Sequence, residues 1–183
     1  LEEAIACLGA TGLVVKPAHD GSSIGVTKLA EPTVAALRKA LEDAAGVRGD
    51  EVLVEEYIHG REFTVAVLDG RALPVIEIRA PEGDYDFNNK YFGDAVHYDC
   101  PAKLEDEAAA TLGSLCERAF AAVGARGWSR IDALQRADGS FALLEINTSP
   151  GMTPHSLVPM AARAVGMDYA DLCLKVLSLA RCD

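Results

Sequence analysis

The 183 residues are 50% hydrophobic and 25% charged, with a formal net charge of −11. A chain of that length can bury a large core without disulfide staples, and its acidity argues against a nucleic-acid surface or an anionic membrane as main partner. Five scattered cysteines, Cys7, Cys100, Cys116, Cys173 and Cys182, form no CxxC pair and read as free thiols of a reducing cytosol.

In chain order, residues 1–9 read as the end of a helix closed by Gly9, and the first residue, Leu1 rather than Met, suggests a fragment or a trimmed chain. A buried strand over 13–16 ends in Lys16, and Gly21 and Gly25 then bracket Ser22 and Ser23 before another strand at 26–29. A lysine followed by a small Gly/Ser loop can cradle phosphate through backbone amides and hydroxyls, although the spacing is not that of a Walker loop and a plain turn fits as well. Residues 32–46 form a helix with Val34, Leu37, Leu41 and Ala44 on one face. Strands at 52–58 and 62–68 are expected as a hairpin around His59-Gly60-Arg61, and a further strand at 73–79 follows the Asp69-Gly70 turn. Glu55, Glu56 and Ile58 close their strand with groups that suit a purine and a ribose, or simply an exposed edge.

The loop 80–95 is rich in Gly, Asp and Asn and carries Tyr85, Phe87, Lys90, Tyr91 and Phe92. Long loops inside compact domains are usually functional, which suggests a lid with Lys90 meeting a phosphate; the alternative is a surface loop with its own aromatic cluster. The longest helix is expected over 103–123, with Leu104, Ala108, Leu112, Leu115, Ala119 and Val123 in a core stripe. The last helices are expected over 157–165 and 169–180.

The most informative stretch is 127–159. Alternation puts Trp128, Arg130, Asp132 and Leu134 on one face of a strand, and Phe141, Leu143, Glu145 and Asn147 on one face of the next. A primed turn centred on Asp138-Gly139 makes paired residues sum to 277, so Asp132 faces Glu145 and Arg130 faces Asn147. Two carboxylates facing one another across a sheet call for positive charge, and Asp, Glu and Asn oxygens suit magnesium or manganese held jointly with phosphate. A solvated polar face is the competing explanation. Downstream, Gly151 permits close backbone approach and Ser156 stands at a helix start that favours an anion.

Three motifs in one order, VVKPAHDGSSIGV, VLVEEYIHGREFTVAVL and GWSRIDALQRADGSFALLEINTSPGMTPHSLVPMAA, resemble the ATP-grasp ligases, and within them the D-alanine-D-alanine ligases, from about Leu13 to the C-terminus. The resemblance implies an α+β ATP-grasp fold of largely antiparallel sheets flanked by helices. Residues 1–70 would be the remainder of a central subdomain and 71–183 the C-terminal subdomain, with the N-terminal domain of the family absent. It implies ATP, two magnesium or manganese ions and D-alanine as ligands. Lys16, Ser22, Ser23 and Lys90 would meet the phosphates, Glu55, Glu56 and Ile58 the adenine, and Glu62 the ribose. Asp132, Glu145 and Asn147 would bind metal, Arg130 and the Gly151 amide would stabilise developing charge, and Ser156 and Leu157 would hold the second substrate. Ser22 and Tyr91 would complete the catalytic set. The intact protein would be a cytoplasmic homodimer joining two D-alanines for cell-wall synthesis, and the isolated chain is expected to be inactive. A D-alanine-D-lactate ligase shares the ATP chemistry, but Tyr91 directly after Lys90 resembles the dipeptide-forming branch. A non-catalytic nucleotide-binding module and a hydrolytic metal site are the readings from other classes.

Overall fold

The computed structural model describes residues 1–19, 21, 23–48, 51–79 and 96–181. They divide into two compact units, Leu1–His59 and the chain from Gly60 onward. The division falls eleven residues before the boundary expected after residue 70, because the strand Glu62–Leu68 belongs to the sheet of the second unit.

In the first unit, helix α1 (Glu2–Leu8) precedes a three-stranded antiparallel sheet of order β2-β1-β3, made of β1 (Leu13–Pro17), β2 (Thr27–Leu29) and β3 (Val52–Glu56). The alternation of β1 is complete, with Leu13, Val15 and Pro17 buried and Val14 and Lys16 on the other face. Leu13 and Val15 pack against Leu37, Ala40 and Ala44 of α2 (Val34–Arg48). The helix starts two residues later than expected because the Thr33 hydroxyl accepts from the Ala36 amide at 3.1 Å, a helix-start bond that leaves Val34 exposed.

In the second unit, β4 (Glu62–Leu68) is the central strand of a sheet of order β7-β6-β4-β8-β9, built with β6 (Ile76–Arg79), β7 (His97–Asp99), β8 (Trp128–Gln135) and β9 (Phe141–Asn147). The hairpin expected between residues 52–58 and 62–68 does not form, since β3 pairs with β1 and β4 with β6 and β8. The Asp69-Gly70 turn instead returns the chain into the two-residue β5 (Arg71–Ala72). Pro74, with no amide hydrogen to donate, lies in the break between β5 and β6.

Both faces of this sheet are covered. Phe63, Val65, Val67, Ile131 and Ala133 pack with Leu112, Cys116 and Phe120 of α3 (Asp106–Ala122). That helix buries a stripe turned away from the expected one, and Val123 is 62% exposed past its end. On the other face, Ala66, Leu68 and Trp128 pack with Val158 and Ala161 of α4 (Leu157–Ala164) and Leu172 of α5 (Tyr169–Leu179). Asp168 caps α5, its carboxylate accepting from the Asp171 amide at 2.8 Å.

Candidate active site

The hairpin β8–β9 turns differently from the expected primed turn and still delivers the expected pairs. Only Gly139 takes a positive φ, of 86°, and its amide donates to the Arg136 carbonyl at 2.9 Å. The Asp138 carboxylate is occupied in accepting from the Ser140 amide at 2.9 Å. The loop is therefore a three-residue type with a bulging glycine, and near it partners are offset by one, Gln135 with Phe141 and Ala133 with Leu143. A β-bulge between Asp132 and Ala133 takes up Leu144 and restores the register, so Asp132 stands opposite Glu145 and Arg130 opposite Asn147. The bulge also corrects the expected grouping. Phe141 and Leu143 join the core beneath α3, whereas Glu145 and Asn147 turn to the opposite face with Arg130 and Asp132.

That face is not a plain solvated surface, because Asp132 is only 5% exposed. Arg130 holds it with both arms, Nε donating to Oδ1 at 2.9 Å and Nη2 to Oδ2 at 2.7 Å, and the same Nη2 lies 3.7 Å from Glu145 Oε1. The positive charge that the facing carboxylates require is thus supplied within the chain by a guanidinium. Asn147 Oδ1 accepts from the Ser149 amide at 3.0 Å, which shapes the chain as it leaves β9. Asp132, Glu145 and Asn147 offer only oxygen, the donor set of a hard divalent cation completed by phosphate oxygens. Among the described residues no group of three His, Cys, Asp or Glu side chains is placed to hold a metal, so a cation here would need the amide and further oxygen donors beside the two carboxylates.

Past β9, Gly151 lies so near Ser156 that a Cβ there would stand 3.0 Å from the Ser156 hydroxyl. Ser156 occupies the cap position of α4, but its hydroxyl turns back to accept from the Thr153 amide at 3.1 Å. Two side chains that the sequence did not single out brace this loop, Tyr169 donating to the Met152 carbonyl and Arg163 to the Pro154 carbonyl at 2.7 Å. Thr64 was missed too. Register places it opposite Asp132, and its hydroxyl donates to Asp132 Oδ1 at 2.6 Å. Its signal was present in the pairing of β4 with β8, which the sequence does not disclose. Glu62 lies two residues before Thr64 on the same face of β4.

In the first unit, Lys16 and Glu55 share the face of the sheet turned away from α2, and Lys16 Nζ meets Glu55 Oε2 at 2.8 Å. Glu56 ends β3, and the Tyr57 amide donates to the Gly12 carbonyl at 2.9 Å just before Ile58. Lys28 sits 5.6 Å from the centre of the Tyr57 ring. Ser23 takes a positive φ of 59°, a conformation that suits a loop presenting successive amides. Ser22, Lys90, Tyr91 and the rest of the proposed lid lie outside the described residues.

An antiparallel sheet flanked by helices, with carboxylate, amide and guanidinium side chains gathered on one face, is the architecture of an ATP-grasp protein. Residues 4–178 match the family model described as D-ala D-ala ligase C-terminus, and the chain belongs to that family. D-alanine–D-alanine ligase of Bordetella petrii is 52% identical over 174 residues, covering 93% of this chain and 52% of the relative. The ligase of Aromatoleum aromaticum is 52% identical over 169 residues, 92% of this chain and 54% of the relative. Among solved structures, VanG D-Ala:D-Ser ligase from Enterococcus faecalis superposes with a TM-score of 0.81 at 31% identity, covering 97% of this chain and 52% of that one. D-alanine–D-alanine ligase from Bacillus anthracis complexed with ATP gives 0.73 at 28% identity, covering 93% and 51%. The chain therefore spans about half the length of the relatives it matches.

Proposed function

We propose that this chain carries the nucleotide, metal and second-substrate sites of a D-alanine-D-alanine ligase, an enzyme that joins two D-alanines at the expense of ATP through an acyl phosphate. The observation that carries the proposal is the register of β8 with β9, which sets Asp132 opposite Glu145 and Arg130 opposite Asn147 on one face. The family membership and the curated relatives support the ligase assignment.

Asp132, Glu145 and Asn147 would hold magnesium or manganese, in keeping with two ions per site. When bound, such ions neutralise the charge on the phosphates and on the transferring phosphoryl group. Arg130 would face that same charge and the tetrahedral species that follows, aided by the Gly151 amide. Lys16 and the Ser22-Ser23 loop would bind phosphates, Glu55 would accept from the adenine amino group, Glu56 and Ile58 would meet the base through their backbones, and Glu62 would take the ribose hydroxyls. The Lys16–Glu55 ion pair supports the pairing of these two roles, since it keeps a cation and an acceptor side by side on one face. Ser156 and Leu157 would hold the carboxylate of the second D-alanine at the start of α4. Lys90 would reach the transferred phosphate and Tyr91 complete the site, both on a lid that keeps water from the acyl phosphate.

In the intact protein, the groups that bind the ammonium of the first D-alanine would come from the half of the relatives' length that this chain does not match. We place that protein in the cytoplasm, as a homodimer; among the described residues no helix is long and apolar enough to cross a membrane. The test is D-alanine-dependent phosphate release from ATP and magnesium, run on this chain and on the intact protein, with D-lactate and D-serine in parallel. Dipeptide formation by the intact protein is expected, with none from this chain alone. An intact protein that forms no D-alanyl-D-alanine refutes the assignment, and turnover by the 183 residues alone refutes the division of labour.

A further inference from the structure

Among the described residues the Asp132 carboxylate has two partners, Arg130 and Thr64, and they differ in kind. Arg130 is a long side chain, 19% exposed, that also lies within reach of Glu145. It can swing from one carboxylate toward the other and keep its charge compensated. Thr64 is 1% exposed, its χ1 is stiffened by β-branching, and its backbone sits in the central strand β4. Among the described residues its other acceptor is the Ile131 carbonyl at 3.4 Å, against 2.6 Å to Asp132 Oδ1. Arg130 bonds to both carboxylate oxygens, so a cation coordinated by Asp132 competes with it for the charge of that carboxylate. As the Arg130 bonds weaken in that competition, the Thr64 hydroxyl still sets the rotation of the carboxylate.

We propose that Thr64 is a positioning residue for the cation site. It donates to Asp132 Oδ1 and holds the carboxylate in one orientation while Arg130 leaves it for the phosphoryl group. The inference rests on the assignment of Asp132 as a cation ligand. It predicts a division of tasks, in which Arg130 is the exchangeable counter-charge and Thr64 the fixed hinge of the ligand.

The test compares Thr64→Val, which keeps the shape and removes the donor, with Thr64→Ser, which keeps the donor. Mn2+ binding in the presence of ADP is followed by the loss of the free Mn2+ EPR signal. T64V is expected to weaken Mn2+ about 10-fold, the size typical of removing a hydrogen-bond partner from a metal ligand, and T64S to restore most of the loss. A thermal-unfolding cycle of T64V with Asp132→Asn, in the absence of metal, is expected to show that the cost of T64V shrinks once Asp132 is neutral. Should T64V not fold, Thr64→Ala set against T64S isolates the hydroxyl in the same assays. A T64V protein that is less heat-stable but binds Mn2+ as tightly as the wild type overturns the proposal, as does a T64V cost that is unchanged in the D132N background. Wild-type protein whose Mn2+ binding is indifferent to D132N instead refutes the metal assignment and with it the positioning role, while the thermal cycle still reports the hydrogen bond itself.

Discussion

Arg61 grips Glu77 with two bonds of 2.8 Å, gives a third to the Lys103 carbonyl at 2.8 Å, and lies 4.9 Å from the centre of the Phe63 ring. Glu77 is 7% exposed, and the Arg61 bonds hold its carboxyl below the ordinary carboxylate range. A carboxylate whose pKa is lowered on folding contributes stability that is fully present above its unfolded pKa and lost as pH falls through the folded one. Glu77→Gln is therefore expected to lower the melting temperature near pH 7, with the gap to wild type closing as the pH drops below about 4. Arg61 is 41% exposed at its side chain, so the loss is set at about 1–2 kcal/mol rather than the value for a fully buried pair. A gap that persists at acid pH would show that packing, and not the ion pair, carries the effect. Cys116 gives a second prediction at this scale. Burial beneath the sheet pushes its thiol up to about 12, while Cys7 is exposed. Iodoacetamide at mildly alkaline pH is expected to label Cys7 in the native protein and Cys116 only after denaturation, and mass spectrometry of the labelled peptides decides it.

At the scale of elements, glycines at two places should respond in opposite directions. A Cβ on Gly60 would stand 1.7 Å from the Gln135 carbonyl oxygen, where the chain enters β4 beside the end of β8. Backbone cannot yield as a flexible side chain does, so Gly60→Ala is expected to cost about 2–3 kcal/mol or more. Gly46 lies inside α2 with nothing within 4 Å of an added Cβ. There the gain in helix propensity rules, and Gly46→Ala is expected to stabilise by about 0.5–1 kcal/mol. Urea midpoints of the two variants provide the check, and a Gly60→Ala protein as stable as wild type would mean the two strand ends are free to separate.

For the molecule as a whole, burial concentrates on β4. Phe63, Val65 and Val67 are fully buried on one face and Ala66 and Leu68 nearly so on the other, with β6 and β8 bonded on either side. Among the described residues, the three-stranded sheet of the first unit has its buried cluster on one side, lined by Leu13, Val15, Leu37, Ala40 and Ala44. Native-state hydrogen exchange should therefore be slowest in β4 and β8 and faster in β1 and β3, because amides in strands buried on both faces open only with the largest unfolding events. Exchange from β1 that outlasted β4 would contradict this ranking.

Local pattern alone determined most of the elements. Alternation identified β8 and β9, short apolar runs and turn residues marked β1 and β4, and periodicity found the helices, because side-chain direction follows from local backbone geometry. It also identified the pairing of Asp132 with Glu145, though by two offsets that cancel: a three-residue loop in place of the expected two-residue turn, which shifts the partners by one, and a bulge at Leu144 that compensates. Neither offset leaves a mark in the local pattern, since the bulge exists to fit Phe141 and Leu143 to the core under α3 while Glu145 and Asn147 serve the opposite face. The same holds for strand partners. Residues 52–58 and 62–68 look like a hairpin, yet β3 and β4 belong to different sheets, and only the packed sheets decide which edges bond. Thr64 reads as one more strand-forming residue until β4 lies against β8. Long-range pairing then brings its hydroxyl to Asp132 across 68 positions of sequence, and the free energy that selects this pairing comes from burial spread over the whole sheet rather than from any short stretch of the chain.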